Sequence, residues 1–271
     1  MKIKQHHDDS PKGKLIKRFA KYHINDNILH IHIPKCAGTW LKDVIYDTHS
    51  GYHRFNFSHR PANVIKQELA EKGYNYDDFY SFSVVRNPWE RIFSSYLYSR
   101  YGSEVTTPES ILNPKKSTPL FENPYIIRED AEFHDAGRLE VLENIKQGFV
   151  GNDFNVDNFS QYVDEVYNSF NKRGNLNKFI YLVPQYRYVT DENKNIIVNK
   201  IFKTTEIKEL FDWIYSINKD SMIKLRAKLI PTKNISPIKV HYFNIYNDES
   251  IDKVSKIYKD DIELFNFTFE K

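Results

Sequence analysis

Apolar residues recur along this chain at two spacings, every second residue and every third or fourth, and the two patterns take turns. Leu29, Ile31 and Ile33 alternate with Ile28, His30 and His32, which predicts a strand near a sheet centre. Past Pro34, Lys35 and Gly38 the spacing changes. Leu41, Val44, Ile45 and Thr48 share one helical stripe, so a helix is expected to about His49. Pro61 suits the first position of a second helix, carried by Val64, Ile65, Glu68 and Leu69 and stopped near Gly73. Phe79 to Val85 reads as a buried strand. Asn87 then offers an N-cap, Pro88 a first helical residue, and Glu90 the acid of a capping box. Trp89, Ile92, Phe93, Tyr96 and Leu97 form the face of this helix that packs inward.

The pattern then lapses. From Tyr101 to about Asp135 the chain carries Pro108, Pro114, Pro119 and Pro124 without sustained periodicity, as a lid or substrate-binding excursion would. Helical spacing resumes at Arg138 to Gln147 and Val156 to Phe170. Phe179 to Lys203 is expected as two strands joined by a polar turn at Asp191 to Asn195. Helices follow at Glu206 to Ile217 and at Glu249 to Phe265, the latter capped near Asn247 or Asp248. No repeat is visible. Strands alternating with helices predict an α/β fold with a mainly parallel central sheet flanked by helices. The expected organisation is one domain over residues 28–271, preceded by a basic lead-in of residues 1–27 that holds a short helix at Leu15 to Tyr22.

Composition narrows the class. With 271 residues, 40% hydrophobic and 15% aromatic, the chain has ample apolar surface for one large core. A formal charge of +3 is too small for a general nucleic-acid binder, although clustered cations can still serve a local anionic ligand. The single cysteine, Cys36, excludes an internal disulfide framework and a multi-cysteine metal site, and a reducing, cytoplasmic setting is expected. No apolar run approaches the length of a membrane span.

Two junctions carry candidate chemistry. The stretch ILHIHIPKCAGTWL, Ile28 to Leu41, reads as strand, anion-binding turn and helix. Backbone N–H groups at a helix start have no internal partners and carry partial positive charge, so a phosphate or sulfate can bind there, and Lys35 adds a full charge. No GxxxxGK[ST] is present, so this is not a Walker A loop. Arg86 stands at the C-terminal end of the second strand, where open α/β sheets bind their ligands. His30 and His32 share a strand face; two such ligands without a third favour packing over a metal site.

HIPKCAGTWL, His32 to Leu41, resembles the 5′-phosphosulfate loop of sulfotransferases that use 3′-phosphoadenosine 5′-phosphosulfate. VVRNPWERIFSSYLY, with Arg86 and Ser94 eight residues apart, resembles their 3′-phosphate-binding segment. The similar branch is that of the carbohydrate enzymes acting on heparan and chondroitin, and weaker likeness runs through Val183 to Ile207 and the C-terminal KNISP and IYKDDIELFNF. The resemblance implies a P-loop-like three-layer fold, a nucleotide donor, an acceptor hydroxyl and no metal; a saccharide is the expected acceptor, with protein tyrosine, lipid and small-molecule hydroxyls left open. It assigns the 5′-phosphate to the backbone of Ala37, Gly38, Thr39 and Trp40 with the Thr39 hydroxyl, the 3′-phosphate to Arg86 and Ser94, and the bridging oxygen to Lys35. It gives His59, in FSHRPA, the role of base, with His53 as the competing choice. Gln185, Lys203 and Lys233 fall in the weaker likeness as contacts or as structural residues. Where the family commonly has threonine, position 36 is Cys36, at the cost of one hydroxyl contact.

Two other classes share the strand-turn-helix signal. A P-loop nucleotide kinase or triphosphatase would need the Walker lysine and its adjoining Ser or Thr, which are missing. A non-catalytic glycan- or nucleotide-binding protein would have no need of Lys35, Arg86, Ser94 and a base together.

Overall fold

A computed structural model describes residues 27–46, 59–101, 156–174, 176, 181–218, 227–228 and 241–270. The expected features at residues 1–26, the loop at 102–135, the helix at 138–147, His53 and Lys233 lie outside them. The chain divides into two compact units, Met1–Val85 with Tyr188–Lys233 and Arg86–Arg187 with Asn234–Lys271.

The first unit is built on a parallel sheet of three strands, β1 (Ile28–Ile31), β2 (Tyr80–Val85) and β3 (Lys200–Lys203), in the order β1-β2-β3. Ile31 lies beside Ser83, and Val85 beside Lys203, so all three strands run toward one edge. Among the described strands β2 is central and β1 is at the end, although every residue of β1 is buried. Helices α1 (Gly38–Tyr46) and α2 (Ala62–Glu71) follow the first strand. The core joins Leu41, Val44 and Ile45 of α1 to Phe82, Val84 and Phe202 of the sheet. Leu210, Phe211 and Ile214 complete it from the helix Ile207–Asn218. Two buried serines in β2 are satisfied across strands, as buried hydroxyls must be. Ser83 donates to the Ile31 carbonyl at 2.8 Å, and Ser81 donates to Asn199 Oδ1 at 3.0 Å.

The second unit is helical. α3 (Pro88–Tyr101) packs with α4 (Val156–Arg173) and with the helix Asp248–Ile257. Trp89, Ile92, Phe93, Tyr96 and Leu97 are all buried, as their spacing requires. Asn87 caps α3, its Oδ1 accepting from Trp89 N at 3.1 Å.

Three expectations are corrected. Residues 181–190 form no sheet strand but a turn and one helical turn, Tyr186–Val189, with a single antiparallel bridge from Thr190 to Ile196. Pro184 has no N–H, and the next two amides donate to the Asp261 carboxylate instead of a ladder. The last helix is two, Asp248–Ile257 and Lys259–Phe265, parted at Tyr258, whose φ of −109° and ψ of 28° leave the helical region. Its start is at Asn247, which accepts from Ser250 N at 2.8 Å. Finally, Glu90 makes no capping box. Its carboxylate accepts from Arg86 Nη2 at 2.8 Å.

Candidate functional site

The turn after β1 is shaped by backbone before any side chain acts. Lys35 and Ala37 have φ of 67° and 60°, a left-handed conformation that costs a non-glycine residue about 1 kcal/mol or more. Residues in alternating handedness aim successive N–H groups into one concavity, the arrangement that binds anions. The Ala37 carbonyl accepts the first bond of α1 from Leu41 N at 3.1 Å, so Ala37 is its cap and offers no side-chain oxygen to the N–H groups behind it. Cys36 points inward and is buried, its thiol donating to the Pro34 carbonyl at 3.6 Å. Lys35 is half-buried, while Ala37 and Thr39 are exposed.

Gly38 is fixed by contact, not by its backbone angle. A Cβ there would stand 1.9 Å from His32 Cδ2 and 2.1 Å from Nε2. The His32 ring, itself buried, also meets His59, with ring centroids 4.2 Å apart, and lies 5.5 Å from the stacked ring of His30. His30 in turn stacks on Phe82 at 4.8 Å. The structure thus brings the first helical residue of the anion turn and the candidate base onto one imidazole. His30 and His32 both make ring contacts, and among the described residues no group of three or more His, Cys, Asp and Glu could hold a metal ion. His59 has a φ of 59°, a further left-handed residue at this point. Arg60, the next residue, pairs with Glu68. The Trp40 ring lies edge-on to Phe211 at 5.9 Å and joins the core.

Arg86 and Ser94 belong to the second unit. The Arg86 side chain, half-buried, forms the ion pair with Glu90, four residues on. Its main chain is gripped at both ends by one side chain. Gln185 Oε1 accepts from Arg86 N at 2.8 Å, and Gln185 Nε2 donates to Arg86 O at 2.8 Å. Ser94 is half-buried, off the apolar stripe of α3. The Lys203 main-chain N–H donates to Glu206 Oε2 at 2.8 Å.

Two residues of this unit were passed over in sequence. Arg91 is 2% exposed and donates to the Val183 carbonyl at 2.9 Å. Asp261 is fully buried, and burial pushes its carboxyl up to about 6, against the opposing pull of the amide donors at 185 and 186 and of Arg91. A signal existed for Asp261. It shares a helical stripe with Tyr258 and Phe265, and an acid on an apolar stripe is the informative exception.

A left-handed turn with a lysine, leading from a parallel strand into a helix N-terminus, is an arrangement that can bind an anion. The sulfotransferase family model matches residues 21–268, and the chain belongs to that family. No curated protein and no solved structure matches it. No helix among the described residues is long and apolar enough to cross a membrane.

Proposed function

We propose that this protein transfers a sulfuryl group from 3′-phosphoadenosine 5′-phosphosulfate to a carbohydrate hydroxyl. The observation that carries the proposal is the left-handed turn at Lys35 and Ala37, which leads into the N-terminus of α1 beside a lysine, in a chain of the sulfotransferase family.

The amides of residues 37–40 and the Thr39 hydroxyl hold the 5′-phosphate. Arg86 and Ser94 take the 3′-phosphate, the planar guanidinium offering paired donors. The acceptor oxygen attacks sulfur in line, the bond from sulfur to the bridging oxygen breaks, and adenosine 3′,5′-bisphosphate leaves. Negative charge grows on that oxygen as the bond breaks. A cation aimed at it, Lys35, therefore stabilises the transition state more than the ground state. His59 takes the proton of the acceptor hydroxyl, a task suited to an imidazole near neutral pH. Its contact with His32 supports this choice by restricting the ring.

Labelled-donor transfer to a panel of heparan- and chondroitin-type glycans tests the proposal. Label on a glycan that disappears in Lys35→Ala and in His59→Ala is the expected result. Donor bound tightly with no transfer to any glycan would overturn the assignment of the acceptor.

A further inference from the structure

The structure assigns Asp261 and Gln185 as positioning residues for Arg86, a role that rests on the proposed 3′-phosphate function of that arginine. The segment 185–186 and the helix Lys259–Phe265 meet through one carboxylate. Asp261 Oδ1 accepts from Tyr186 N at 2.8 Å, and Oδ2 accepts from Gln185 N at 2.8 Å and from Gln185 Nε2 at 3.4 Å. Both residues are 0% exposed.

The pattern leaves one orientation for the Gln185 amide. Its Nε2 edge must face the acceptor-only carboxylate, so its Oε1 edge faces Arg86 N, and the same Nε2 reaches Arg86 O. Main-chain groups that continue a strand ordinarily bond to a neighbouring strand. Arg86 follows the last residue of β2, and its N–H and C=O are instead fixed by this side chain, which is fixed by Asp261. The base of the Arg86 side chain is set by a buried polar network in which each donor meets an acceptor. Such networks are rigid when complete and costly when broken.

Asn at position 261 breaks it in either orientation. One amide oxygen remains, and the NH2 group faces either Tyr186 N or the two Gln185 donors, so a buried N–H is always left facing another donor. Gln185→Met keeps the side-chain length and removes both bonds to Arg86.

The test compares adenosine 3′,5′-bisphosphate with adenosine 5′-phosphate by calorimetry, and follows hydrogen exchange of the Arg86 amide, in the full chain. In Asp261→Asn and Gln185→Met, preference for the 3′-phosphorylated nucleotide should fall about tenfold, with 5′-phosphate affinity held within about twofold, and the Arg86 amide should exchange faster. A merely structural role would weaken both nucleotides together. Gln185→Met carries the decision where Asp261→Asn does not fold. Unchanged preference and unchanged exchange in the folded variants would overturn the inference. Wild-type protein indifferent to the 3′-phosphate, with the exchange coupling intact, would instead strike the proposed function of Arg86 and leave the coupling standing.

Discussion

The turn at Lys35 to Gly38 and the segment at Arg86 are both strand-to-helix junctions, yet they are held by opposite means. The first is set by shape, with left-handed residues at 35 and 37 and a glycine pressed against the His32 ring. The second is set by hydrogen bonds, from Arg86 through Gln185 to a buried carboxylate on the last helix. A loop set by close approach fails when volume is added. A segment set by a buried polar network fails when one partner is lost or its charge changes.

Substitutions can separate the two. Lys35→Ala removes the charge from the first junction without altering its shape, so transfer should fall by about 10²–10³-fold, the usual cost of one transition-state contact, with an unchanged melting temperature. Arg86→Ala should weaken adenosine 3′,5′-bisphosphate by about 1.5–3 kcal/mol in calorimetry and leave adenosine 5′-phosphate as it is.

The pH dependence probes the second junction alone. The Asp261 carboxyl is raised from 3.8 in the unfolded chain to about 6 in the folded one, so the folded state prefers it protonated. Its penalty on stability is absent below pH 3.8, grows as pH rises to 6 and is constant above, amounting to roughly 3 kcal/mol at most. Denaturant titrations across that window should lose this slope in Asp261→Asn.

Gly38→Ala puts a methyl group into the His32 ring and should cost about 1–3 kcal/mol of stability in the same titrations, with part recovered by adding His32→Ala. The smallest effect belongs to the Arg86–Glu90 pair, which is partly exposed. Glu90→Gln should tighten adenosine 3′,5′-bisphosphate by at most about 1 kcal/mol, because the phosphate then no longer competes with a carboxylate for Arg86.

The two junctions also differ in how much of them the sequence disclosed. The strand, the turn and the helix around Lys35 are local, and periodicity with Pro34 and Gly38 located all three. The need for glycine at 38 was hidden, since it arises from His32 six residues earlier, across the turn. Around Arg86 the cap at Asn87 and the buried face of α3 were legible for the same local reason. Of its anchors, Gln185 was named only through the weaker family likeness and Asp261 not at all, because both lie far along the chain. The apolar run from Phe179 resembled a strand by composition, whereas Pro184 and two amides committed to Asp261 take 181–190 out of the sheet. Long-range side-chain bonds to backbone leave no period in a sequence. An acid on an apolar helical stripe is the trace that they do leave, and Asp261 carries it.

The most direct measurement is calorimetric titration of the full chain with adenosine 3′,5′-bisphosphate against ADP and ATP. Preference for the 3′,5′-bisphosphate without added magnesium is the predicted result. Equal or tighter binding of ATP with magnesium, accompanied by turnover, would contradict it and favour a nucleotide kinase or triphosphatase activity instead.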